Sequence, residues 1–73
     1  MNNRRRKMIE EALGWITRGK DMLQEVLDEE QEAYDNLPEG FQNGEKGEIM
    51  SDCISALEEC IANLDEAEDL SEL

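Results

Sequence analysis

The stretch Asp28–Ile49, DEEQEAYDNLPEGFQNGEKGEI, decides the fold. Its first half continues a helical pattern as far as Asn36. Pro38 then fixes its own φ and disfavours helical geometry at Leu37, so the helix stops there. Gly40 and Gly44 loosen the backbone, and Leu37 and Phe41 are the apolar side chains expected to plug the loop. Asn43 or Gly44 begins a second helix, with Glu45 and Glu48 well placed for its positive amino-terminal end. The expected layout is one all-α helical-hairpin domain: helix one over about 4–36, a turn over 37–44, helix two over about 45–70.

Upstream of the turn, Ile9, Leu13, Ile16, Leu23, Leu27, Tyr34 and Leu37 recur on a heptad spacing, with Lys20 and Glu30 as its polar members. A second seam runs beside it through Met8, Ala12, Trp15, Gly19, Met22 and Val26, with Ala33 further on. Gly14 and Gly19 each cost a helix interior about 1 kcal/mol relative to Ala. A break at Gly19, with Asp21 capping a new helix, is the alternative. One continuous helix is preferred because both seams keep phase across Gly19, which would then admit a close neighbouring helix. The lead-in from Met1 to Lys7 is basic and lacks apolar periodicity.

Downstream, helix two has the same pair of seams. Met50, Ile54, Leu57, Ile61 and Leu64 form one. Ile49, Cys53, Ala56, Cys60, Ala67 and Leu70 form the other, with Asn63 its polar member. Residues 69–73 are expected to fray. Folding about Phe41 places Tyr34 near Met50, Leu27 near Leu57, Leu23 near Cys60 and Ile61, Ile16 near Ala67 and Leu13 near Leu70. It also brings Arg4–Lys7 towards the acids of the far end (Asp65, Glu66, Glu68, Asp69, Glu72). A two-helix hairpin covers one seam of each helix and leaves the other in water. Met8, Trp15, Gly19, Met22, Val26, Ile49 and Cys53 are therefore the expected self-association surface, which pairing into a homodimeric four-helix bundle would bury.

Composition excludes several function classes. A chain of 73 residues has room for one small core and no cleft between domains. Histidine is absent, which removes the commonest general base and the commonest nitrogen ligand. The serines have no histidine to activate them, and no glycine-rich phosphate loop follows a strand. No catalytic residue, metal site or cofactor is expected, and the chain is not expected to be an enzyme. Cys53 and Cys60 lie seven residues apart, about 10 Å along one helix face, too far for a disulfide within the chain. They are expected as small reduced core residues. No apolar run reaches the roughly 20 residues of a membrane span or the centre of a signal peptide, so no membrane contact is expected.

Charge is the loudest feature. Twenty acids against seven bases give −13. Residues 1–20 carry six bases and two acids, +4, while residues 21–73 carry one base and eighteen acids, −17. Such a surface opposes direct nucleic-acid binding and favours a basic partner. A DNA-contacting role for Arg4–Lys7 is disfavoured for the same reason. The acid runs lack the loop and central glycine of a calcium site. Rows of acids along a rigid helix do imitate the spaced charge of a nucleic-acid backbone. Glu25, Asp28, Glu29, Glu32, Asp35 and Glu39 are one candidate partner-binding row, and Asp52, Glu59 and Glu66, with Glu58, Asp65 and Asp69 beside them, another.

At Glu29–Met50, EEQEAYDNLPEGFQNGEKGEIM, the sequence resembles a family of short acidic helical-hairpin proteins from phages, prophages and mobile elements of Gram-positive bacteria. The shared features are a helix ending in a Glu-Ala-Tyr-Asp-Asn-Leu-Pro-Glu turn and a second helix of acidic and aliphatic residues, here ISALEECIANLDEAEDL. The likeness covers residues 28–70, whereas residues 1–27, with Trp15 and the basic cluster, depart from it. It implies no established activity and no site residues. It does imply a phage-type accessory protein in the cytoplasm of a bacterial host. The resulting expectation is a small interaction module that inhibits a host nucleic-acid-binding protein, a nuclease or defence system, by mimicry. The alternative is a structural or oligomerising coiled-coil accessory protein whose acidity serves solubility.

Overall fold

In a computed structural model, which describes residues 2–72, the chain is helical throughout its described elements and forms an elongated hairpin of 57 × 14 × 14 Å. Helix α1 spans Asn3–Asp35, a single-turn helix α2 spans Glu39–Gln42, and α3 spans Glu45–Ala67. A 3-10 turn over Glu68–Glu72 continues α3. Over the end expected to fray, residues 68–72 leave α geometry for 3-10, and Leu73 lies outside the described residues. So does Met1, the first residue of the basic lead-in.

Helix α1 begins at a true cap. The Asn2 side chain accepts from the Arg5 backbone N–H at 2.8 Å, satisfying one of the free donors of the first turn. The helix then runs unbroken through Gly14 and Gly19. It ends where Pro38 requires: Asn36 is the carboxyl-terminal cap and Leu37 leaves helical geometry.

The turn is tighter than a plain loop. Pro38 precedes α2, whose four residues are set by bonds from the Phe41 and Gln42 N–H groups to the Pro38 carbonyl. Phe41 is 58% exposed and so does not plug the loop. Gln42 holds it instead, its side-chain amide donating to the carbonyls of Tyr34 and Leu37 at 3.1 Å each. The Tyr34 carbonyl lies in the last turn of α1 and also accepts from the Leu37 N–H, whereas the Leu37 carbonyl lies just beyond the helix, so Gln42 ties the turn to the end of α1. Gly40 is not needed for backbone freedom either, since no glycine among the described residues has positive φ.

The turn's real constraint is Gly47. It is buried in the first turn of α3, and a Cβ there would fall on the carbonyl oxygens of Phe41 and Gln42, 2.6 Å from the Gln42 carbonyl carbon. Hydrogen in place of a side chain lets α2 lie directly against α3. Gly44 caps α3, and Glu45 and Glu48 occupy its first turn.

The core is one seam thick. Ile54 and Ile61 are buried, flanked by half-buried Met50, Leu57 and Leu64. Facing them, each heptad position of α1 from Ile9 to Tyr34, Lys20 and Glu30 included, is half-buried, as is Leu37 just beyond the helix. The register follows from the cross-helix contacts. Lys20 reaches Asp65 and Glu68, Thr17 reaches Glu68, and Leu13 and Leu70 line one open groove with Ile9 and Arg6. Facing residue numbers therefore sum to roughly 84, as the expected layers require.

Candidate functional site

The second seams decide what the hairpin offers to others. Successive residues of an α-helix advance by about 100°. In both α1 and α3 the outer seam sits one residue before the inner one: 8, 12, 15, 19, 22, 26 against 9, 13, 16, 20, 23, 27, and 49, 53, 56, 60 against 50, 54, 57, 61. Because the helices are antiparallel, a step back along each rotates towards the same side of the hairpin. The two outer seams form one continuous face.

That face has a pattern. Nearest the line between the helices lie the small residues Ala12, Gly19, Ala33, Cys53, Cys60 and Ala67, with Val26 among them. Along its outer edges lie Met8, Trp15 and Met22 on α1 and Ile49 on α3, while Leu70, in the 3-10 turn, lines the groove with Ile9 and Leu13 instead. All of the larger ones are exposed, led by Trp15 at 64% and Met22 at 61%. Every residue of the expected self-association set therefore lies on this face, with Gly19 half-buried and Cys53 open to solvent. Cys53 and Cys60 were expected in the core and are both exposed thiols. The inner seam already fills the contact between the two helices, so a residue one step back from it cannot enter the core. Gly19 does not serve close approach within the hairpin, since a Cβ there meets nothing within 4 Å.

The opposite side is polar. Glu10, Thr17, Asp21, Gln24, Asp28, Gln31 and Asp35 follow the inner seam of α1 by one residue, and Ser51, Ser55, Glu58 and Asp65 follow that of α3. Gln24 donates to Asp28, and Gln31 to Asp35, at 3.0 Å each. Lys20 leaves the inner seam on this side to pair with Asp65 at 2.8 Å and Glu68 at 2.7 Å. Its hydrogen bond to Asp65, and then that to Glu68, hold its ammonium well above the ordinary lysine range. The bridging cation is thus Lys20, not the Arg4–Lys7 cluster. Helix α1 starts at residue 3, whereas residue 72 stands opposite about residue 12, so the basic cluster lies near or past the described end of the other arm, with Arg6 beside Leu70 and Ser71.

The candidate acidic residues divide into two groups. Glu25, Asp28, Glu32 and Asp35 follow one another at one-turn steps along α1, all exposed, with Glu39 opening α2. Glu29 stands apart, on the apolar edge beyond Met22. Asp52, Glu59 and Glu66 line the back of α3, pointing away from α1. The fold makes each row straight and does not bring the two rows onto one surface. Among the described residues, no three Cys, Asp or Glu side chains are grouped to hold a metal ion, and no helix is long and apolar enough to cross a membrane.

Three positions that matter in the structure were missed from sequence: Gly47, Gln42 and the pairing role of Lys20. A glycine in the first turn of a helix, just after a turn too short to swing clear, was an available signal for Gly47. In comparisons with protein-family models, curated proteins and solved structures, nothing matches this chain.

Proposed function

We propose that this protein is a small interaction module that pairs with a second copy through its apolar face into a four-helix bundle. Its acid-covered exterior then engages a basic, nucleic-acid-binding protein and inhibits it by mimicry. The observation that carries this reading is the division of the surface. The large apolar side chains that α1 and α3 leave outside the core gather on one side, and acids clad most of the remaining helix surface beyond the basic lead-in. The row Glu25, Asp28, Glu32, Asp35 carries a charge about every 5 Å along a rigid axis, the same order as the 3.4 Å rise per phosphate of a DNA strand. A phage or mobile-element origin in a Gram-positive host, and a cytoplasmic site of action, belong to the same proposal.

A second reading is favoured by one observation. The two acidic rows lie on opposite backs of the hairpin, as they would if acidity served solubility alone. In that reading the protein is a structural, oligomerising accessory.

The test is capture from a Gram-positive host lysate with the tagged protein, repeated with excess duplex DNA. Capture of a nuclease or other nucleic-acid-binding protein, released by DNA and weakened by salt, is the expected result. Capture of nothing but its own chain supports the structural reading.

A further inference from the structure

The charge map of the hairpin fixes how two copies meet. The open half, residues 1–20 and 64–73, holds six bases and seven acids, −1. The turn half, residues 21–63, holds one base and thirteen acids, −12. The apolar face runs along both halves. A face close to 57 Å long and two helices of about 10 Å each in width offers on the order of 1,000 Å², more than the roughly 800 Å² per partner of a standard interface. Two orientations bury it fully. With the turns at the same end, two halves of −12 face each other. With the turns at opposite ends, each −12 half faces a −1 half, and the product of facing charges falls about sixfold.

We propose that the occupant of the apolar face is a second copy in the antiparallel orientation, its turn beside the first copy's open end, with α1 on α1 and α3 on α3. This rests on the self-association reading above and names its geometry. A register in which facing α1 positions of the two copies sum to about 41 sets a large residue against a smaller one in three layers, Trp15 on Val26, Met22 on Gly19 and Met8 on Ala33, and sets Glu29 at the margin beside Ala12. This gives Gly19 the close neighbour that the hairpin itself does not supply. At the interface edge the same register sets Arg18 of each copy opposite Glu25 of the other. The same-end orientation instead sets Glu25 opposite Glu59 and Glu32 opposite Asp52, twice each.

Two measurements test the orientation. The first is the distance between spin labels on Asn36→Cys in a Cys53→Ala, Cys60→Ala background. Opposite-end turns put the labels about 46 Å apart along the axis, and same-end turns put them within about 20 Å. The second compares Glu25→Arg with Glu59→Arg by sedimentation equilibrium. Both change the net charge equally. The antiparallel dimer predicts that Glu25→Arg weakens association about tenfold while Glu59→Arg, at a position level with the acidic end of α3 of the other copy near Glu68 and Asp69, strengthens it. Strengthening by both variants, or labels within about 20 Å, overturns the orientation and leaves self-association standing. A wild-type chain that stays monomeric overturns both.

Discussion

Replacing Gly47 with alanine tests the tightest point of the fold. The added Cβ would meet the backbone carbonyls of Phe41 and Gln42, which cannot swing aside as a flexible side chain can. Overpacking of this kind costs about 1–3 kcal/mol, and the upper end applies because the obstacle is main chain. Alanine regains about 1 kcal/mol of helix propensity, leaving a net loss of about 2 kcal/mol. A chain of this length has only about 4–10 kcal/mol in total, so the midpoint should fall by about 8–16 °C. Gly14→Ala is the matched control: a Cβ there meets nothing within 4 Å, so it should raise the midpoint by about 4–8 °C. Far-UV circular dichroism melts of both variants and wild type, at one protein concentration, measure the contrast. If Gly47→Ala melts at or above wild type, α2 does not lie against α3 as described.

Four further outcomes follow from the same geometry. Gln42→Ala removes two bonds, to the Tyr34 and Leu37 carbonyls, and should cost about 1–2 kcal/mol, read as a lower urea midpoint at unchanged slope. Trp15→Glu should abolish self-association in sedimentation while the far-UV spectrum stays helical, because Trp15 touches water and not the hairpin core. Reversing Asp28, Glu32 and Asp35 together, which leaves the apolar edge at Glu29 untouched, should abolish capture of a nucleic-acid-binding partner and leave the dimer intact; if it breaks the dimer alone, the acids are not the partner site. The last outcome concerns pH. Lys20 has a raised pKa in the fold, so its contribution is complete below the unfolded value of about 10.4 and is lost only as pH rises through the folded one. Stability attributable to Lys20 should thus be flat across neutral pH and fall in strong alkali, and Lys20→Gln should remove that alkaline loss.

The seams were legible because a helix of this length repeats its pattern often enough to be read. Ile54 and Ile61, the buried pair, sit on the inner seam of helix two, and the facing layers follow from folding about the turn. Both seams of each helix were equally visible, and this is why the cysteines were misplaced: Cys53 and Cys60 are small and apolar enough for a core, yet the one-step offset sends them to the outer face. The turn was legible as a turn and not in its detail. Phe41 suggested a plug by type, whereas a buried glycine and a glutamine amide hold the turn, and neither follows a hydrophobic period. The charge pairing went to Lys20 because it stands level with Asp65 and Glu68, whereas the basic cluster lies near or past the end of the 3-10 turn, where Arg6 meets Leu70 and Ser71.

Whether the apolar face is covered in solution is the question on which the account rests. Sedimentation equilibrium of the wild-type chain, at low and at high salt, answers it directly. The expected result is a species of twice the 8.4 kDa chain mass that grows more stable as salt screens the repulsion between two copies of charge −13. A chain that remains at 8.4 kDa up to several hundred micromolar, on the order of a 5 kcal/mol ceiling on association, in both salts would contradict it.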